Sequence, residues 1–349
     1  MINIEMLSEI CRISGAPGHE QKIRAYILEK IKPLVDEYYI DNMGNVVAIK
    51  KGNSDKKVMV AAHMDEISFI VTAIDNEGFV RFHTLGGFDA KTLTAQRVII
   101  HGSEEVIGVM GTKPIHVLTA EEKSKAPKTT DFFIDTGLSK DRVNELISVG
   151  DVITRERELI VMGDCVNSKS LDNRVSVFIL LEVMASLKSK TVPYDIYAVF
   201  TVQEEVGLRG ATAAASGINP DFGIALDVTL AYDLPGAAPH EMISRLGEGT
   251  AIKVMDGATI CDYRMVKYMK SLAEKHKIKH QMEILTAGGT DTAALQRHAN
   301  GGSIAGAISI PTRYLHQVIE MASISDIKDT MKLLEIVLCE IENYDWSFR

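Results

Sequence analysis

Apolar residues recur at helical spacing near both ends of this chain of 349 residues and fall into short runs through its middle. Near the start, Ile4, Leu7 and Ile10 share one face of a helix predicted over 4–13, which Ser14-Gly15-Ala16-Pro17-Gly18 breaks. A second amphipathic helix follows over 19–34, with Ile23, Ile27 and Leu28 on one side. Strands are predicted at 38–40, 46–49 and 58–62, the first two joined by a turn at Asp41-Asn42-Met43-Gly44.

From 66 to about 157 the texture changes. Short alternating or β-branched runs at 68–73, 78–82, 95–100, 106–110 and 151–154 are separated by turns such as Asp75-Asn76-Glu77-Gly78 and His101-Gly102-Ser103. This spacing predicts a small, mainly β, barrel-like domain. Within it the polar stretch 121–130 reads as a loop and 140–147 as a helix. After Asp164 an α/β rhythm returns, with helices predicted at 172–187, 208–216, 263–276 and 325–343 and strands at 195–202, 222–226 and 301–310. The economical solution is an α/β fold: a three-layer domain with a mostly parallel or mixed sheet (1–65 and 164–349), interrupted by a small β-barrel-like domain (66–163).

Length supports two domains, because single cores stop growing near ~250 to 300 residues. A hydrophobic fraction of 46% and a charged fraction of 24% are those of an ordinary globular protein. The net charge of -9 argues against a broad nucleic-acid-binding surface, which needs concentrated Lys and Arg. Cys11, Cys165, Cys261 and Cys339 lack any CxxC spacing, so reduced, packed thiols are expected rather than a zinc knuckle or redox pair. The amino terminus lacks a basic region followed by an apolar signal core, and no run approaches ~18 apolar residues, so a cytoplasmic protein without membrane partners is expected.

Metal-capable groups stand where apolar runs meet polar turns. His63 ends the run Val58-Met59-Val60-Ala61-Ala62 and is followed by Asp65, which could accept from the imidazole nitrogen not used by a metal. It reads equally as a structural histidine. Asp172 precedes a helix and would serve as a plain N-cap. Glu204 and Glu205 repel each other and would face apart if extended, whereas Val206-Gly207-Leu208-Arg209-Gly210 provides a turn that aims both into one cleft; a solvated acidic turn is the alternative. Asp227 follows Gly223-Ile224-Ala225-Leu226, and His316 follows Ile310-Pro311-Thr312-Arg313-Tyr314-Leu315, where a surface histidine would also fit. The pair Gly288-Gly289 lacks the context of a nucleotide fingerprint. Together these residue types compose a site for two divalent metals with one acid to spare.

Ala62-His63-Met64-Asp65-Glu66, Leu171-Asp172-Asn173-Arg174, Glu204-Glu205-Val206-Gly207-Leu208-Arg209-Gly210, Ala225-Leu226-Asp227-Val228-Thr229, Gly289-Thr290-Asp291 and Pro311-Thr312-Arg313-Tyr314-Leu315-His316 occur in this order over nearly the whole chain. In this the chain resembles the M42 family of metallo-aminopeptidases, the group of tetrahedral and glutamyl aminopeptidases and of proteins once labelled endoglucanase M. The resemblance implies that His63 and Asp227 bind one metal, Glu205 and His316 the other, and that Asp172 bridges them. It implies Glu204 as general base with Asp65 behind His63, and two Zn2+ or Co2+ ions per subunit, with Mn2+ as a further option. The implied substrates are short peptides with a free N-terminus, and the implied role of the insert is dimerisation, with dimers able to build a tetrahedral dodecamer. One departure is Gln317-Val318 after His316, where the family pattern has Ser-Pro, next to the specificity pocket.

The ligand types alone also suit a dipeptidase, carboxypeptidase or deacylase, or a noncatalytic assembly protein that keeps the fold. A glycosidase would need two opposed carboxylates instead of a metal cluster. Arg245, Lys253 and Arg313 are candidates for a specificity pocket by chain position, and each also reads as a solvated or structural charge.

Overall fold

The computed structural model describes residues 2–348. An eleven-stranded mixed sheet runs in the order Glu37–Ile40, Val46–Lys50, Asp195–Thr201, Lys57–His63, Phe222–Leu230, Ile304–Arg313, Glu320–Ser323, Cys165–Ser168, Ile160–Met162. Thr250–Met255 branches from Ile304–Arg313 and carries His280–Ile284 beside it. The four central strands, Asp195–Thr201, Lys57–His63, Phe222–Leu230 and Ile304–Arg313, are mutually parallel.

Those strands read as unbroken apolar runs because both faces of the sheet are covered. Successive residues point to opposite faces, and the packing follows that alternation. Val46, Ala48, Val58, Val60 and Ala62 join the larger core beneath helices Ile4–Arg12, Gln21–Ile31, Leu171–Leu187, Tyr263–Lys275 and Ile324–Glu340. Val47, Ile49, Met59 and Ala61 instead meet Ala211, Ala214 and Ile218 of helix Arg209–Ile218 and Leu295 of helix Thr292–His298. Three layers result. Leu171–Leu187 is apolar nearly all round and correspondingly buried between the sheet and the other helices.

The chain leaves the sheet after His63 and forms a closed six-stranded barrel from Ser68–Ile74, Val80–Leu85, Phe133–Asp135, Glu105–Gly111, Arg97–His101 and Val152–Arg155. Alternation fills its interior: Val106 and Met110 point in with Phe69, Phe82, Val98, Ile100 and Ile134, while Ile107 and Val109 point out.

Several details depart from the sequence reading. Ile160–Met162, within the stretch 66–163 assigned to the insert, is an edge strand of the large sheet paired with Cys165–Ser168. The segment read as a loop over 121–130 opens with a short helix, Ala120–Ser124, held by a reciprocal capping box between Thr119 and Glu122. Strands Thr250–Met255 and His280–Ile284 fall where none was predicted. All four cysteines are free. Among the described residues no helix is long and apolar enough to cross a membrane.

Candidate metal centre

The carboxyl ends of parallel strands are where an open α/β sheet gathers its ligands, and this sheet delivers its chemistry there. His63 is the last residue of Lys57–His63, Glu204 and Glu205 follow Asp195–Thr201, Asp227 lies three residues before the end of Phe222–Leu230, and His316 follows Ile304–Arg313. Asp172 comes from the opening of helix Leu171–Leu187.

All these side chains meet. His63 Nε2 lies 3.2 Å from Asp172 Oδ1 and 3.7 Å from both Glu204 Oε2 and Asp227 Oδ1. His316 Nε2 lies 3.4 Å from Asp172 Oδ2 and 3.7 Å from Glu205 Oε2. The two oxygens of Asp172 therefore face two different imidazoles. Three overlapping groups, His63–Asp172–Asp227, Asp172–Glu205–His316 and His63–Glu204–Glu205, each have ligand atoms within 4.8 Å of one another. Asp172 does not act as an N-cap. Among the described residues no backbone N–H donates to its carboxylate, and its own N–H donates to Glu320 Oε2 at 2.9 Å, so the carboxylate is free to turn away from the helix.

The turn after Asp195–Thr201 places Glu204 and Glu205 together. Gln203 and Leu208 take left-handed φ values of 54° and 56°, and Gly207 at φ 121° completes a reversal closed by its N–H on Glu204 C=O at 2.9 Å. Asp65 anchors that turn from below: its carboxylate accepts the N–H of Glu204 at 3.1 Å and of Glu205 at 3.2 Å. The nearest acceptor for His63 Nδ1 is the Asp65 backbone carbonyl at 3.2 Å, with the carboxylate at 3.5 Å. Asp65 thus holds the acid pair and the imidazole at once.

Burial without compensating cations splits the acids. Desolvation pushes Glu204 well above the carboxylate range, against the pull of His63, and together with the charge of Asp172 it pushes Glu205 up to about 8. Burial also raises Asp227. Asp172 goes the other way: burial opposes its charge, but hydrogen bonds from His316 and His63 hold it below the usual range. Burial would lower both histidines, yet Glu204, Asp172, Asp227 and Asp65 hold His63 well above its ordinary value, and Asp172 and Glu205 hold His316 up at about 10. Glu205 Oε1 is buried with no hydrogen-bond partner among the described residues. An orphaned carboxylate oxygen, surplus acids and two imidazoles are what a pair of divalent ions would satisfy, and the donor set fits.

Residues beyond those singled out from sequence support the site. Glu320 fixes Asp172, as described. Asp291 accepts from Thr201 Oγ1 at 2.6 Å, and burial raises it to about 7. Its place in Gly289-Thr290-Asp291 was the one sequence signal for it. Beside the cluster a cavity of about 110 Å3 is walled by Val228, Lys253, Asp256, Leu285, Thr290 and Leu315. Of the three basic candidates Lys253 reaches this wall, where it pairs with Glu283 and lies 3.6 Å from Asp256. Arg313 is engaged by both carboxylate oxygens of Asp233, at 2.6 and 2.7 Å, and Arg245 is exposed.

Comparison with known proteins agrees with this geometry. The family model described as M42 glutamyl aminopeptidase matches residues 44–333. A lysyl aminopeptidase of Pyrococcus furiosus is 32% identical over 99% of this chain and 100% of the relative. The structure of an aminopeptidase of the archaeon Desulfurococcus kamchatkensis superposes with a TM-score of 0.93 at 36% identity, covering 99% of this chain and 98% of that one. The TET1 peptidase of Pyrococcus horikoshii, which can assemble into a tetrahedron or a large octahedral shell, superposes with a TM-score of 0.87 at 32% identity over 97% of this chain and 99% of its own. By sequence, by fold and by the order of its motifs, the chain belongs to the M42 aminopeptidase family.

Proposed function

We propose the following division of labour for a chain whose family makes it a metal-dependent aminopeptidase. His63 and Asp227 would hold one divalent ion and Glu205 and His316 a second, with Asp172 standing between the two pairs as the ligand both would share. The observation that carries this reading is the placement of the two Asp172 oxygens, 3.2 Å from His63 Nε2 and 3.4 Å from His316 Nε2. Zn2+ or Co2+ is the expected pair on family grounds, with Mn2+ as a further option; the ligand set itself tolerates several divalent ions, because imidazole and carboxylate select weakly among them. When bound, such a pair supplies Lewis acidity at the scissile carbonyl and eases deprotonation of the attacking water.

Glu204 is the acid left over from that ligand set. Its buried carboxylate takes the proton of the attacking water and delivers it to the leaving amine. Asp65 holds Glu204 in place through its backbone N–H. The neighbouring cavity receives the side chain of the first residue of a short peptide with a free N-terminus. The barrel serves as a dimerisation domain, and dimers associate into a tetrahedral dodecamer, as the P. horikoshii relative's tetrahedron suggests. A cytoplasmic setting suits the four free thiols.

A panel of free-amine, N-acetylated and carboxyl-blocked peptides, run with and without chelator, tests the reading. Cleavage of free-amine and carboxyl-blocked peptides, lost on chelation and regained with Zn2+ or Co2+, is expected. Preference for acetylated peptides, or full activity in protein shown to be metal-free, would overturn it.

A further inference from the structure

His316 stands in a strained loop. Tyr314 and His316 both take left-handed backbone conformations, with φ of 64° and 57°, and 45% of the His316 side chain is exposed. A non-glycine residue in that region is strained and persists only where its surroundings hold it. Here the holding groups come from the inserted barrel.

Gly87, in the turn after barrel strand Val80–Leu85, presents its carbonyl oxygen 3.1 Å from His316 Nδ1. A carbonyl only accepts, so Nδ1 carries a hydrogen, and Nε2, the atom facing Asp172 and Glu205, is the one whose lone pair a metal ion would take in place of a proton. Arg155, the last residue of the barrel's final strand, donates Nη1 to Gln317 C=O at 2.6 Å, one residue beyond the histidine. Both anchors are themselves fixed. Phe88, next to Gly87, stacks on Phe69 of the barrel core with ring centroids 4.4 Å apart. The Arg155 guanidinium is buried, 5.8 Å from the Phe88 ring centroid and 3.7 Å from Glu66. A Cβ at position 87 would sit 3.1 Å from His316 Nδ1, so any side chain there presses on the imidazole.

We propose that Gly87 and Arg155 are positioning residues for His316, so that the barrel completes the metal centre by fixing the tautomer and the placement of one ligand. This rests on the reading that Glu205 and His316 hold the second ion. Groups that orient a ligating histidine typically change metal affinity by about 10-fold to 100-fold when removed.

The test is a Co2+ binding isotherm on metal-stripped full-length protein for wild type, Gly87→Val, Arg155→Met and Arg155→Lys. Wild type is expected to take up two ions per subunit in two resolvable steps. In G87V and R155M one step weakens by about 10-fold to 100-fold while the other stays, and R155K, which keeps a donor, recovers part of the loss. Both steps unchanged in G87V, or both weakened alike, would overturn the positioning role. Gly87 is exposed, so G87V decides the question even if R155M fails to fold. A wild type that binds fewer than two ions would instead remove the dinuclear reading, and this proposal with it.

Discussion

Two buried charge clusters lie side by side in this molecule, and they solve the same problem in opposite ways. Around Glu66, one carboxylate faces three cations: Lys169 Nζ at 2.8 Å from both of its oxygens, and Arg155 and Arg174 each at 3.7 Å. Around Asp172, four further acids (Asp65, Glu204, Glu205 and Asp227) share two imidazoles. Burial opposes the charge of Glu66 too, but its three cations hold it down at about 2, whereas Glu205 sits at about 8. Burial also pulls Lys169 and Arg174 below their ordinary values, the reverse of what an ion pair alone would give. The asymmetry follows from numbers: three cations divide one carboxylate, so the anion gains while each cation is left short. The Glu66 cluster already holds more cations than its one carboxylate engages, leaving Arg155 and Arg174 nitrogens buried without hydrogen-bond partners among the described residues, whereas the Asp172 cluster has room for added cations. Burial of charge alone marks neither as functional; the sign of the imbalance does.

Substitutions should separate the two clusters. The largest effect belongs to Glu204→Gln, expected to lower kcat by about 10^2-fold to 10^4-fold with both ions retained; steady-state kinetics with elemental analysis reads both, and near-normal turnover at full occupancy would contradict the assignment. Glu66→Gln leaves three buried cations without their carboxylate and should destabilise the fold by about 3 to 5 kcal/mol in denaturant titration; a loss under about 1 kcal/mol would mean that solvent already serves that cluster. Glu205→Gln should act with the opposite sign in metal-free protein, stabilising it by about 0.5 to 2 kcal/mol while lowering metal affinity.

The pH dependence sharpens the contrast. With a folded pKa of about 8 against an ordinary 4.5, Glu205 keeps a proton in the folded state that the unfolded chain has lost, so metal-free protein should lose stability as pH rises from 4.5 toward 8. Glu66, held at about 2, contributes stability present above pH 4.5 and lost as pH falls toward 2. Denaturation midpoints across pH should therefore fall on both flanks, with E205Q flattening the upper flank and E66Q the lower.

The sequence exposed those features that repeat locally. Central strands such as Lys57–His63 were legible because burial on both faces demands an unbroken apolar run, and the ends of those runs pointed to His63, Glu204, Glu205 and Asp227. Thr250–Met255 and His280–Ile284 were not, because Lys253 and Glu283 interrupt both runs. They are register partners across the two strands and bury their charges against each other. The capping box between Thr119 and Glu122 is a local signal for the short helix Ala120–Ser124, but the polarity of 121–130 masks it. Gly87 could not have been found, since its carbonyl contact with His316 spans 229 positions and leaves no mark on side-chain pattern.

The central claim is that Asp172 bridges two ions, and anomalous diffraction from crystals grown with Zn2+ tests it most directly. The account predicts two peaks about 3.5 to 4 Å apart, one beside His63 and Asp227 and one beside Glu205 and His316, each touching a different oxygen of Asp172. A single peak, or a pair that leaves Asp172 uncoordinated, would contradict it.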